Sequence, residues 1–504
     1  LNVKILIPHF SFAPSKILWV VLFLSCYTLA YPQGNQGTNY NPNYKYSIAE
    51  LQSDFVAFRW ILEQAHPGLY TFTPKTWLNK QMDSTYNAIN RDMTEREFYQ
   101  MLAPIVANLH CGHTLLDPSL MYQDRGKRFP FDLYFQAGKA FLRTDYSKDT
   151  TRKAPIGAEL LAINGQKMQD IVRQMLPSLP ADGLHLQGKY QDLEEDFGNY
   201  YDLLVAQPDT FRLTCLNPKT NEILEYIAPA LDDDLVREYS KRYVVEAMEG
   251  KKPLEFKLID SLQTAVMYIH SFLDLDHKDA RQKFGKFLKK SFKTIHNHKI
   301  THLIIDVRQN SGGNLAYVNH LFYQFATKEY RFLDRVEVTR NKKITELNNT
   351  ELSKATLHDP SRVIAGDSGR YLARESCYTD LKVRKPNPKA YTGKVFLLIG
   401  KRSFSAASHL ATVIEAYKRG VLVGEETGGS NAGFNAGDIV TITLPITNLQ
   451  LEVPIEKCIK IIPRYPHKNR GVMPHHSITN TIEDELTGFD RVLQYTLELI
   501  RKKR

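Results

Sequence analysis

Apolar residues fall at three- and four-residue steps through the segment from Ser47 to Leu109. Phe55, Phe58, Ile61 and Leu62 do so first, then Phe98, Leu102, Ile105, Val106 and Leu109, which predicts a helical N-terminal region. Within it, Thr94 with Glu97 three residues on reads as a helix start in which side chain and backbone satisfy each other. Between Phe129 and about Ala230 the texture shifts to short strands and turns, FPFDLYF and AFLRTDY among them. In Pro155–Leu176 a strand LLAI closes on Asn164-Gly165, a pair suited to the positive backbone angles of a tight turn, and a short amphipathic helix follows. From Leu254 onward strands alternate with helices: TAVMYIHS, a helix around Lys283–His296, THLIIDV, a helix after Asn314, KVFLLIG, and a helix after Ser405. That order predicts an α/β layer on a mostly parallel sheet, with ligands at the carboxyl ends of the strands. The charged, Pro- and Gly-containing stretch 334–389 interrupts the alternation and is expected to be a surface insertion.

The chain has 504 residues and 43% hydrophobic content, which suits about three folded domains. Ile17–Ala30, ILWVVLFLSCYTLA, follows Lys16 and ends in a small residue, the order of a secretory signal peptide. As a helix it would reach about 21 Å against a hydrocarbon core of about 30 Å, so a cleaved signal is expected over a permanent span. Cys26 follows Phe23-Leu24-Ser25, a poor lipoprotein processing site, so a lipid anchor there is not expected. No methionine precedes Met82, so another initiation codon or a missing start is expected. A polar linker, residues 31–46, is too poor in aliphatics to build a core.

The net charge of +10 is spread over many Lys and Arg residues, with a short basic tail at 500–504. No basic stripe interleaved with aromatics occurs, which argues against nucleic-acid binding; for an exported protein the charge suits association with anionic envelope surfaces. Cys111, Cys215, Cys377 and Cys458 lack the paired spacing of a zinc site, so no metal is expected and at most one disulfide.

The candidate chemistry sits at strand ends. In KVFLLIGKRSFSAASHLATV a buried strand runs into a helix with Ser405 at the junction, so the amides after it are unpaired N-terminal helix donors suited to an oxyanion. Ser403 or Ser405 serving only as an N-cap is the plainer alternative. LIIDVRQNSGGN empties another strand into a Gly312-Gly313 turn that lets a second group approach the backbone. A serine nucleophile needs a base that titrates near neutrality, and NLHCGHTLLD offers His110 and His113 around Cys111, itself read as a small buried hydrophobe.

With these residues in hand, the chain resembles the S41 serine peptidases, which include tail-specific proteases, tricorn-type proteases and the interphotoreceptor retinoid-binding repeats. The resemblance spans roughly Ile48–Leu499 and rests on HPGLY (His66–Tyr70), Gly112-His113-Thr114, AINGQ, LIIDVRQNSGG, FSAAS, GEETGG (Gly424–Gly429) and RGVMP (Arg470–Pro474). It implies a multidomain α/β protein: a helical N-terminal domain (47–117), a PDZ-like β-rich domain (118–250) and a C-terminal α/β catalytic core of ClpP/crotonase type (251–499). By position it implies Ser405 as nucleophile, the amides of Ala406 and of Gly312 or Gly313 as oxyanion hole, and His113 as the base of a tricorn-like Ser-His site. No lysine stands in GEETGGSNAG where the Ser-Lys branch has its base. The usual orienting acid is missing before RGVMP, where Lys468 and Asn469 stand; Asn469 or Glu425 is the candidate to orient the imidazole. Pro474-His475-His476 replaces the usual Pro-Asp step. The implied activity is hydrolysis of polypeptides, unfolded or with free chain ends, by an exported endopeptidase without a cofactor. The alternative is an inactive peptide- or lipid-binding protein on the same scaffold.

Overall fold

A computed structural model describes residues 40–123, 126–147, 154–232, 234–236, 253–273, 283–339, 360–366, 371–461 and 469–502. The expected signal peptide, most of the linker, much of the insertion and Lys468 lie outside the described residues.

Three helices open the fold: α1 (Ile48–Ala65), α2 (Lys75–Ala88) and α3 (Glu95–Ala107). Both α1 and α3 begin with reciprocal caps, Ser47 with Glu50 and Thr94 with Glu97, which satisfy backbone donors that would otherwise lack partners. A short strand β1 (Leu115–Asp117) follows. The middle of the chain forms an antiparallel sheet of β2 (Phe131–Gln136), β3 (Lys139–Asp145), β4 (Glu159–Ile163), β5 (Thr210–Leu216) and β6 (Ile223–Pro229). Asn164 and Gly165, both at positive φ, make the tight turn that their dipeptide promised, and α4 (Met168–Met175) and α5 (Gln187–Leu204) precede β5.

The C-terminal half builds a sheet in the order β7 (Leu254–Ile259), β8 (Thr264–Ile269), β9 (His302–Asp306), then β13, β14 and β17. Here β13 is Lys394–Ile399, β14 Val421–Gly424 and β17 His476–Ser477. Alternating side chains decide its two faces. Leu303, Ile305, Val395, Leu397 and Ile399 pack under α6 (Phe284–Asn297), α7 (Leu315–Tyr323) and α8 (Ser405–Ala416). On the other face Ile304, Phe396, Leu398 and Val423 meet Val492, Leu497 and Ile500 of the last helix, α10 (Arg491–Lys502), which the short α9 (Ile482–Thr487) precedes.

A third sheet is antiparallel throughout. It runs β1, β16 (Gln450–Lys460), β10 (Leu333–Val338), β12 (Tyr371–Ala373) and β11 (Val363–Ala365), with β15 (Gly433–Thr443) also paired to β16. Counted over the structure the pairing is therefore largely antiparallel, which corrects the expectation of a mostly parallel sheet. Among the described strands, parallel pairs are confined to β8–β9, β9–β13, β13–β14 and β14–β17. The cause is local: β15 and β16 are joined by a connection too short for a parallel crossover, so they fold back as a hairpin. Buried Asp54 of α1 fastens that hairpin's loop by accepting from the Ile446 and Thr447 amides and the Thr447 hydroxyl.

Candidate active site

Ser405 begins α8 with φ +48°, a left-handed angle that costs a residue with a Cβ. Neither serine of the motif is an N-cap. Phe404 holds that position without a side-chain cap, and the buried Ser403 donates its hydroxyl to the Val307 carbonyl at 2.7 Å while accepting from the Gly400 amide. The elbow is thus tied to the end of β9, and Phe404 N donates to the Asn310 carbonyl at 3.2 Å. A Cβ at Gly312 would lie 2.7 Å from the Ser405 Cβ, so the diglycine turn is pressed directly against the serine.

The two glycine amides differ. Gly312 N–H is taken by Asn310 Oδ1 at 2.8 Å, which removes it as an oxyanion donor and corrects that part of the expectation. Gly313 N–H and Ala406 N–H have no acceptor among the described residues. Both N–H groups therefore remain available to an acceptor.

His113 comes to this elbow from the N-terminal region. Its imidazole stacks on the Phe404 ring, centroids 4.6 Å apart, and an added Cβ at Gly112 would strike that ring at 2.8 Å. The absent side chain at Gly112 is what lets the two rings meet. Cys111 is fully buried, and burial pushes its thiol up to about 11, which leaves it inert beside the site.

The residue that sequence reasoning missed is Asp182. Its carboxylate is buried, with Oδ1 accepting from Gly112 N at 2.8 Å and standing 4.0 Å from His113 Nδ1. That gap exceeds a hydrogen bond. His113 Nδ1 and Asp182 Oδ2 are both buried without a hydrogen-bond partner, so each has unused capacity. Burial lowers the His113 pKa; Asp182 opposes that shift and Lys460 adds to it. The Asp182 loop is pinned on both sides, Gly183 N to the His110 carbonyl at 3.0 Å and Leu184 N to the Asn469 carbonyl at 2.7 Å.

The two orienting candidates from sequence go elsewhere. Asn469, at φ +67°, supports the Asp182 loop through its backbone carbonyl, with no hydrogen bond from its side chain among the described residues. Burial raises the Glu425 carboxyl, and its electrostatic neighbours are Lys401, Glu485 and Arg308, away from His113. Two motifs instead dock on each other. Glu426 binds Arg470 through two hydrogen bonds (3.1 and 2.6 Å) and the Gly471 amide, while Thr427 Oγ1 accepts from Val472 N. The unusual His475 has a structural place: Nδ1 accepts from Leu422 N, and Nε2 lies 3.0 Å from Glu415 of α8.

Residues 263–478 match the model of peptidase family S41. Two solved structures share the fold at low identity. Mature CPAF is 14% identical over 90% of this chain and 98% of that one, with a TM-score of 0.62. Mature CPAF complexed with lactacystin is 14% identical over 90% and 99%, with a TM-score of 0.60. No curated protein matches the chain. The match over residues 263–478 supports a serine-type peptidase.

Proposed function

We propose that this chain is a peptidase of the S41 type, an exported endopeptidase that works through a Ser405 acyl-enzyme with His113 as general base. The observation that carries the reading is the stacking of His113 on Phe404, the residue next to a serine held at positive φ. His113 Nε2 takes the Ser405 proton as Oγ attacks the scissile carbonyl; the Gly313 and Ala406 amides stabilise the oxyanion. The imidazolium then protonates the leaving amine. Water, deprotonated by the same imidazole, attacks the acyl carbonyl, and the imidazolium returns that proton to Ser405 Oγ as the ester bond breaks. Asp182 fits the orienting role: closing the 4.0 Å gap by about 1 Å would give Nδ1–H an acceptor and fix the tautomer that presents Nε2 to the serine.

The S41 reading implies polypeptide substrates. We read the middle sheet, with its Asn-Gly turn, as a PDZ-like module that receives extended chain ends by strand addition. Its place in the chain, between the segments that supply His113 and Ser405, suits a part that delivers substrate.

Ser405→Ala tests the reading. Cleavage of an unfolded polypeptide such as reduced, alkylated casein is expected to vanish while the melting temperature stays near that of the parent. A fluorophosphonate probe is expected to label the parent at Ser405. Undiminished turnover by the variant, or labelling elsewhere, removes Ser405 from the mechanism.

A further inference from the structure

Lys460 ends β16 on the buried side of the strand, in register with Cys458, and only 4% of it reaches solvent. Its ammonium donates to the Ser430 carbonyl and approaches the hydroxyls of Thr412 (3.3 Å) and Ser408 (3.5 Å), both on α8. Ser408 lies one helical turn from Ser405. The Phe434 ring is near both Lys460 and His113: its centroid is 5.4 Å from Nζ and 6.3 Å from the His113 ring. No carboxylate lies within ion-pair distance of Nζ among the described residues. The titratable groups acting on Lys460 are Asp182 and Cys458, and Lys460 in turn acts on His113 and on His409 of α8.

We propose that Lys460 is an electrostatic positioning residue for the peptidase reaction: its buried ammonium, held on the helix that Ser405 begins, keeps the His113 imidazole in its neutral, proton-accepting form. The proposal rests on His113 being the base. Lys460 is itself excluded from that role by where its donors go, to Ser430, Thr412 and the wholly buried Ser408, with none directed at Ser405.

Burial pulls Lys460 down to about 7 and also depresses His113. Free imidazole titrates near about 6.5, so at the pH where His113 exchanges its proton Lys460 still carries its charge and opposes imidazolium formation. Above about 7 the ammonium discharges, but the imidazole is neutral there already. The influence of Lys460 is therefore confined to the acid limb of the pH profile. Asp182 pulls in the other direction by favouring the imidazolium.

The experiment compares the parent with Lys460→Met and Lys460→Arg in two readouts: the acid limb of kcat/KM, and an NMR titration of the His113 ring in the Ser405→Ala background. In Lys460→Met both midpoints are expected to rise by about half a pH unit or more, while Lys460→Arg keeps the parental values. Unchanged midpoints in Lys460→Met overturn the proposal, as does an equal rise in Lys460→Arg. Should Lys460→Met fail to fold, Lys460→Gln removes the charge while keeping a donor, and is held to the same two outcomes. The NMR titration needs no turnover. If Ser405→Ala retained activity, the proposed function would fall while the His113 midpoint still decided the coupling to Lys460.

Discussion

Glu194→Gln gives a quantitative test of how the middle region holds the Ser405 elbow. Lys401, four residues before Ser405, points into the protein and meets Glu194 of α5 in a short, buried ion pair whose side chains are 10% and 5% exposed. Its ammonium also donates to the Phe135 carbonyl at 3.0 Å and lies 4.8 Å from the centre of the Tyr134 ring, while Glu194 Oε1 accepts from Phe135 N at 2.6 Å. The glutamine oxygen can still accept from Phe135 N, so the substitution removes charge and little else. Breaking a buried pair from one side costs about 3–5 kcal/mol because the remaining ion stays desolvated. The Phe135 carbonyl and Tyr134 ring still serve Lys401, which places the loss at the lower end, about 3 kcal/mol. Differential scanning fluorimetry should read this as a fall of about 3 °C in a protein of this size. Replacing both partners, Glu194→Leu with Lys401→Met, should restore most of it, since no charge is then left buried. The reasoning fails if Glu194→Gln melts within about 1 °C of the parent, or if the double variant melts as low as the single one.

Two further substitutions probe the site directly. Gly313→Ala forces a Cβ to within 2.3 Å of the Phe272 backbone at φ +126°, so we expect about 3 kcal/mol or more of destabilisation and a loss of kcat; a variant that melts and turns over like the parent would exclude Gly313 from the oxyanion turn. Asp182→Asn keeps an acceptor for Gly112 N but removes the charge beside His113 Nδ1. We expect kcat to fall by about 100-fold or more and the acid limb of kcat/KM to move to lower pH, because the imidazolium loses its stabilising partner; an unchanged kcat would show that Asp182 does not orient the base.

Local grammar made the scaffold legible. Thr94 with Glu97 caps α3, Asn164-Gly165 turns at positive φ, and the all-buried run His302–Asp306 is a central strand, each decided by residues within one turn of each other. The hairpin β15–β16 was open to the same reading, since its residues alternate apolar and polar on both sides of a short connection; treating the C-terminal half as strand–helix alternation passed over that period-two signal. Asp182 was harder to find. It sits in an Asp-Gly turn that reads as a loop, and its tie to Gly112 spans 70 residues, so nothing local marks it as a partner of an imidazole. Lys460 did leave a trace: in a strand whose inward positions include Glu456 and Cys458, the next inward residue is a lysine, and a charge on a buried face calls for a reason.

The strained serine explains why so many of these ties converge. A residue with a Cβ keeps φ +48° only where its surroundings fix it more firmly than its own torsional preference relaxes it. Here the buried Asn310 supplies much of that constraint. Its Nδ2 donates to the Ile269 carbonyl at the end of β8, its Oδ1 takes the Gly312 amide, and its backbone carbonyl receives Phe404 N just before the elbow. One side chain and one peptide group therefore join three segments that are far apart in sequence: the end of β8, the diglycine turn after β9, and the start of α8. Ser403 repeats the tie from the other side through Val307, and Lys401 anchors the same turn to α5. The Gly312 carbonyl accepts from Phe272 N at 2.9 Å, so the peptide that carries Gly313 N–H is held in orientation before any substrate arrives. In the proposed mechanism the Gly313 and Ala406 amides are thus set in place by folding, which is the condition under which backbone amides stabilise an oxyanion most effectively.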